Sequence, residues 1–149
     1  MKTAIRYFTH VQNKLQEVLE HELPNIERAA DYVVESCKLG GKFYVFGTGH
    51  SASCESRHSS GKKMYEIADV TIDNCGDIGD ASFPIEGLDT CIGPTSDAVG
   101  ITIAQALACE VVDKLVKEGI EPPIFKSSNV DGGDEHNHEM FEKYYGYWK

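Results

Sequence analysis

Five consecutive residues without an apolar side chain, Gly47-Thr48-Gly49-His50-Ser51, follow directly on the apolar run Phe43-Tyr44-Val45-Phe46. Glycines at 47 and 49 let the backbone turn tightly and approach a ligand. Thr48 and Ser51 add hydroxyl donors, and His50 stands among them as a further ligand contact. The guest that suits backbone N–H groups and hydroxyls at the end of a strand is a phosphate. Other glycine-rich loops fit less well. A dinucleotide fingerprint needs a third glycine where the chain has Ala52. A nucleotide P-loop needs Gly-Lys-Ser/Thr, but Gly61-Lys62 is followed by Lys63, and Ser56 stands where the first glycine belongs.

Two further segments carry groups of the same kind. The stretch from Ala52 to Lys63 is rich in serine and is the most basic part of the chain. Ser59 and Ser60, with Lys62 close by, can add hydroxyls and charge to an anion site, while His58 is expected to be exposed and passive. Thr95 and Ser96 precede a long apolar run, so they open a helix whose free N–H groups and dipole favour an anion. The loop Asn74–Ala81 has two aspartates but neither EF-hand spacing nor its closing glutamate, and it reads as solvated turns. Asp134, His136, His138 and Glu139 include zinc-ligand types, but no His-Glu-x-x-His occurs, and we expect no metal and no other cofactor.

These groups need elements to hold them. Ile5, Phe8, Val11, Leu15, Val18 and Leu19 recur at helical spacing, as do Ile26, Ala29, Ala30, Val33, Val34 and Cys37 after Pro24. Gly40-Gly41 ends the second helix. Phe43–Phe46 reads as a buried strand, and Ala68–Asp73 alternates like another, with a helical turn near Lys62–Glu66 between them. Thr95 or Ser96 caps a third helix that is apolar on nearly every face to about Glu118, where Gly119 and Pro122-Pro123 stop it. Such a helix is buried in a domain or between subunits, so we expect a homodimer or higher homo-oligomer. The tail from Met140 begins as a helix.

The composition, 41% hydrophobic and 26% charged over 149 residues, suits one globular domain, with helices over residues 1–40 and the core over 41–149. A net charge of −10 argues against nucleic acid and anionic membranes as general partners, so a phosphate site must be local. No apolar run reaches the length of a membrane span, and the N-terminus lacks the apolar segment of a signal peptide. Five cysteines without a Cys-x-x-Cys suggest reduced thiols in the cytoplasm.

Phe-Gly-Thr-Gly-His-Ser, Ser-Arg-His-Ser-Ser-Gly-Lys (56–62), Ile-Glu-Gly-Leu-Asp-Thr (85–90), Gly-Pro-Thr-Ser (93–96), Gly-Ile-Glu-Pro-Pro (119–123) and Asn-Val-Asp-Gly-Gly-Asp-Glu-His-Asn (129–137) together resemble the bacterial sugar isomerase (SIS) domain proteins. The nearest likeness is to an uncharacterised, phosphoheptose-isomerase-like branch. The resemblance implies an α/β three-layer sandwich with a parallel sheet of flavodoxin-like topology. It implies a phosphorylated sugar as ligand, bound by an isomerase or by a non-catalytic sugar-phosphate-binding or regulatory module; a truncated, inactive fragment that only dimerises is the third reading. Relatives follow the first loop with an acidic helix, more strands and a second phosphate loop of the Ser-Asn-Ser-Gly kind. Here His50-Ser51 runs almost directly into the segment at 56–62, so the domain resembles a SIS domain shortened by a gap near residues 50–53. An aldose–ketose isomerase needs a base and an acid. Glu135 and His136, in a glycine-rich segment able to reach a neighbouring subunit, are the candidates; the alternative is the start of a helix with Asp134 as its cap.

Overall fold

The computed structural model describes residues 2–45, 47 and 55–145. It divides into two compact units, Met1–Lys114 and Leu115–Lys149. The elements in chain order are helix α1 (Thr3–His21), helix α2 (Leu23–Lys38), a single 3-10 turn (Met64–Glu66), strands β1 (Ala81–Phe83) and β2 (Ile92–Pro94), helix α3 (Ser96–Lys117) and helix α4 (Gly133–Tyr145).

In the first unit α1 and α2 meet through the stripes read from the sequence. Val18, Ile26 and Val99 form a buried cluster, with Leu15, Ile72, Cys75, Ile103 and Leu107 packed on it. Glu22 joins the two helices by ending one and starting the next: its N–H donates to the Val18 carbonyl at 2.8 Å, and its own carbonyl accepts from Ile26 N–H at 2.9 Å. Pro24 sits in the first turn of α2, where its missing N–H costs nothing. At the other end Gly40 N–H donates to the Cys37 carbonyl and Gly41 N–H to Ser36, the paired bonds of a Schellman stop. An ion pair of 2.7 Å between Lys114 and Asp31 links α3 to α2.

The sheet differs from expectation. Among the described residues it is one antiparallel pair, with Ala81 opposite Pro94 and Phe83 opposite Ile92. Neither strand was legible in the sequence, because each is three residues long and one contains proline. The hairpin is held on α1 by side chains. Phe83 is buried, its ring meets Tyr7 edge-on at 6.1 Å, and the Arg6 guanidinium lies 4.8 Å from its centroid. The Tyr7 hydroxyl donates to the Pro94 carbonyl at 2.7 Å. A Cβ at Gly93 would sit 2.9 Å from the Tyr7 ring, and its φ of 71° is left-handed, so glycine is required there twice over.

Two expected strands are corrected. Residues 41–45 have no regular structure, and Phe43, Tyr44 and Val45 are 54%, 75% and 70% exposed. Aromatic and β-branched composition favours a pleated, half-buried surface, but without a neighbouring strand it makes no ladder. Residues 68–73 are likewise irregular, although Val70 and Ile72 are half-buried and Thr71 and Asp73 exposed. The alternation therefore predicted burial correctly while the strand itself did not form. The helix α3 is also less enclosed than its composition suggests: Val99 is fully buried, whereas Ile101 is 64% exposed.

The second unit begins in the last turn of α3. Gly119, at φ 75°, and Ile120 close that helix with N–H bonds to the carbonyls of Val116 (3.0 Å) and Leu115 (2.9 Å). The segment 124–126 is then bound to α4 by side chains. Asn137 mimics a strand partner, accepting from Lys126 N–H and donating to the Lys126 carbonyl, both at 2.7 Å. Gly133 starts α4 against the Ser127 carbonyl, where a Cβ has no room.

Candidate functional site

Of the first loop, Gly47 is described and exposed; Thr48, Gly49, His50 and Ser51 lie outside the described residues, as does the junction at 50–53. A Cβ at Gly47 would meet nothing within 4 Å.

The segment after it builds its own structure from polar groups. Ser56 Oγ donates to the Lys62 carbonyl at 2.8 Å and accepts from His58 N–H at 3.3 Å. Gly61 N–H donates to the His58 carbonyl at 3.0 Å. Ser60 Oγ lies 2.8 Å from His58 Nδ1 and accepts from Lys62 N–H at 3.2 Å, while Ser60 N–H also donates to His58 Nδ1 at 3.2 Å. Arg57, His58, Ser59, Ser60 and Lys62 are all exposed. The 3-10 turn that follows starts with Lys63 N–H donating to Glu66 Oε2 at 2.6 Å. Sequence reading treated His58 as passive. Its signal was present in the His-x-Ser spacing, which lets a side chain bond two residues along the backbone.

At the start of α3 the donors are already taken, by a carboxylate from a distant turn. Asp80 Oδ1 accepts from Thr95 N–H at 3.3 Å and Ser96 N–H at 3.0 Å, and Asp80 Oδ2 accepts from the Ser96 hydroxyl at 2.7 Å. The cap expected of the Thr95 or Ser96 side chain is thus supplied by Asp80. Thr95 carries the first helical acceptor, receiving Val99 N–H at 3.0 Å, but its fully buried Oγ1 has no hydrogen-bond partner. An anion is what a helix N-terminus favours, and here the protein provides one. Asp80 reaches the site from a tight turn in which Gly79 (φ 89°) and Asp80 (φ 64°) are both left-handed, a conformation aspartate tolerates better than most residues.

That turn is anchored to α1. His10 Nε2 lies 3.0 Å from Asp77 Oδ2 and 2.7 Å from Ser82 Oγ, and Lys14 Nζ lies 3.2 Å from Asp77 Oδ1. The Ser82 hydroxyl holds the Asp77 carboxyl below the ordinary carboxylate range; partial burial works the other way, and Lys14 and His10 add to the lowering. Burial pulls the Lys14 ammonium down, but its bonds to Asp77 and Glu17 outweigh this and leave it raised. Burial, then the nearby Asp73 carboxylate, pushes the Cys75 thiol up.

Glu135 and His136 belong to the second unit and lie in the first turn of α4, not in a loop. Glu135 is exposed, near the positive end of the helix. His136 Nε2 donates to the Ile124 carbonyl at 2.8 Å, so that nitrogen serves to hold the chain. Among the described residues no group of three or more His, Cys, Asp or Glu side chains gathers as a metal cage.

A sequence model of the SIS domain matches residues 6–58. That span takes in α1 from Arg6 onward, α2, the sequence stretch Gly47–Ser51 and the start of the self-bonded segment. Over those residues the chain is similar to SIS domain proteins. A UPF0309 protein of Halalkalibacterium halodurans is 46% identical over 115 residues, covering 76% of this chain and 48% of the relative. UPF0309 proteins of Listeria innocua (38% over 114 residues; 75% and 46%) and Shouchella clausii (41% over 95 residues; 64% and 39%) are similar to it as well. The chain spans about half the length, or less, of the curated relatives it matches. No helix among its described residues is long and apolar enough to cross a membrane.

Proposed function

We propose that the chain binds a phosphorylated sugar through Gly47, Thr48, Gly49, His50 and Ser51, with Ser59 and Ser60 from the self-bonded segment. The observation that carries this reading is the SIS match over 6–58, which ends beyond the glycine–hydroxyl loop and within the basic, hydroxyl-bearing segment. Backbone N–H groups, hydroxyls and local cations suit a phosphate in a chain of net charge −10, where only a local site can hold an anion. Thr95 and Ser96 join such a site only if the ligand's anion replaces the Asp80 carboxylate. One SIS-like domain over residues 1–149 is the unit we propose to carry that site.

Of the two activities open to such a domain, a phosphoheptose-isomerase-like reaction would use Glu135 and His136 as base and acid. The bond from His136 Nε2 to the Ile124 carbonyl favours the other, a binding module without catalysis. The exposed Ile101, with Ala104 and Ala108 exposed one and two turns along α3, supports assembly into a homodimer. The free thiols of Cys37, Cys75, Cys91 and Cys109 are in keeping with a cytoplasmic setting.

Calorimetry with a panel of phosphorylated aldoses and ketoses, each beside its unphosphorylated sugar, tests the reading. The phosphorylated form should bind much more tightly, and Ser51→Ala should weaken it several-fold, the loss of about 0.5–1.5 kcal/mol expected for one hydroxyl contact. Equal affinity with and without the phosphate removes the phosphate loop from the argument. Interconversion of aldose and ketose phosphates by the same preparation would favour the isomerase over the binding module.

A further inference from the structure

The turn that leads into α4 contains a peptide group that nothing ties down. Gly133 N–H donates to the Val130 carbonyl at 3.0 Å, so Asp131 and Gly132 are the two central residues of a β-turn. Gly132 has φ 73° and Asp131 a negative φ, the pattern of a type II turn. The bond that closes the turn, and the bond from His136 N–H to the Gly132 carbonyl at 3.2 Å, both lie outside the peptide joining 131 to 132. Among the described residues the Asp131 carbonyl accepts no hydrogen bond, the Gly132 N–H donates none, and the Asp131 carboxylate has no donor or ion pair. Both residues are exposed, and a Cβ placed at Gly132 would meet nothing within 4 Å. That peptide can therefore rotate while both flanking bonds stay intact. Other aspartates differ. The carboxylates of Asp31, Asp73, Asp77 and Asp80 are held by Lys114, by Cys75 N–H, by His10 and Lys14, and by Thr95 and Ser96, and none of the four precedes a glycine.

We propose that Asp131-Gly132 is a site of spontaneous isoaspartate formation in the folded protein. In the first step the Gly132 nitrogen attacks Cγ of the protonated Asp131 carboxyl. An N–Cγ bond forms, the Cγ–OH bond breaks, and the hydroxyl leaves as water with the amide proton, closing a five-membered succinimide. Solvent water then opens the ring. Cleavage between nitrogen and the α-carbonyl carbon leaves the chain running through the former side chain, with a free α-carboxylate. Glycine favours the first step because no Cβ shields its nitrogen and its backbone turns readily. The product carries one extra methylene in the main chain just before α4. The turn bond between Val130 and Gly133 then spans a longer ring and loosens, and with it the start of the helix that holds Ile124 and Lys126.

The intact protein, its Asp131→Glu variant and a synthetic peptide of residues 126–137 should be aged together at mildly acidic pH. Isoaspartate is read by fragmentation mass spectrometry of the digests and by labelled methyl transfer from an isoaspartate-specific methyltransferase. Isoaspartate should appear at 131 in the native protein at a rate within about tenfold of the peptide's, because an unbonded peptide needs almost no local opening to react. Asp131→Glu, whose longer side chain cannot close the five-membered ring, should show none at that position. In the aged protein, amide hydrogen exchange at Gly133 and His136 should be faster than in fresh protein. A native rate slower than that margin would mean that the turn protects the bond, and would overturn the proposal. So would isoaspartate arising first at another aspartate, and unchanged exchange at Gly133 and His136 would overturn the loosening of α4.

Discussion

The start of α3 and the segment from Ser56 to Lys62 offer similar groups to an anion, yet the fold treats them differently. At α3 two backbone N–H groups and a hydroxyl converge on the Asp80 carboxylate, which arrives from a turn anchored on another helix. In the Ser56–Lys62 segment, hydroxyls, an imidazole and backbone groups bond one another within seven residues, and the cations Arg57 and Lys62 stay at the surface. One anion-favouring end is satisfied by tertiary structure, and the other by local structure. Donors alone therefore do not mark a ligand site; what matters is whether the protein already supplies their acceptor.

Substitution at Asp80 should give the largest effect. Asp80→Ala removes the acceptor of two amides and a hydroxyl at the end of a 22-residue helix, and should cost about 2–3 kcal/mol in urea unfolding, in the range of caps and charge-assisted bonds. Ser60→Ala, by contrast, should leave unfolding within about 0.5 kcal/mol of wild type, as surface changes do. If the two variants lose equal stability, the contrast between the regions does not hold.

Thr95→Val should act in the opposite direction. The Oγ1 it removes is buried without a partner, and an isosteric methyl should stabilise the protein by about 1 kcal/mol. A stabilised Thr95→Val with unchanged sugar-phosphate affinity would leave the α3 end outside the site. A matching loss of affinity would bring Thr95 into it and narrow the difference between the regions.

The smallest effect concerns the anchor of the Asp80 turn. Asp77 has a lower pKa folded than its ordinary value of 3.8, so its contribution to stability is present above that value and is lost as pH falls through it toward the folded value. Its side chain is 36% exposed and therefore screened, so Asp77→Asn should cost less than about 1 kcal/mol at near-neutral pH. Denaturation curves from neutral pH down to roughly pH 3 should show that difference shrinking toward zero. A difference independent of pH would assign the loss to packing of the turn and not to charge.

The helices were legible because their information is local. Apolar residues at spacings of three and four place α1 and α2, Pro24 opens α2, and Gly40 and Gly119 end α2 and α3 with the bonds expected of such stops. The 3-10 turn at Met64–Glu66 was legible for the same reason. Of the candidate site, the hydroxyl and cation content of 56–62 could be read directly, and so could the placement of Thr95 and Ser96 at a helix start. The strand readings at 43–45 and 68–73 did not carry over, and Phe46 lies outside the described residues; a strand is completed by hydrogen bonds to a partner that its own sequence does not name.

By itself, then, the sequence determined where helices begin and end, which residues face the α1–α2 core, and which segments carry polar chemistry, since each depends on residues within a few turns of one another. Only the tertiary structure decided that Asp80 caps α3 from more than a dozen residues away, that Phe83 seats a short antiparallel hairpin on Tyr7 and Arg6, and that His136 holds the Ile124 carbonyl. Each of those contacts joins groups far apart along the chain, and their cost in chain entropy is offset only when the surrounding core has already brought the segments together.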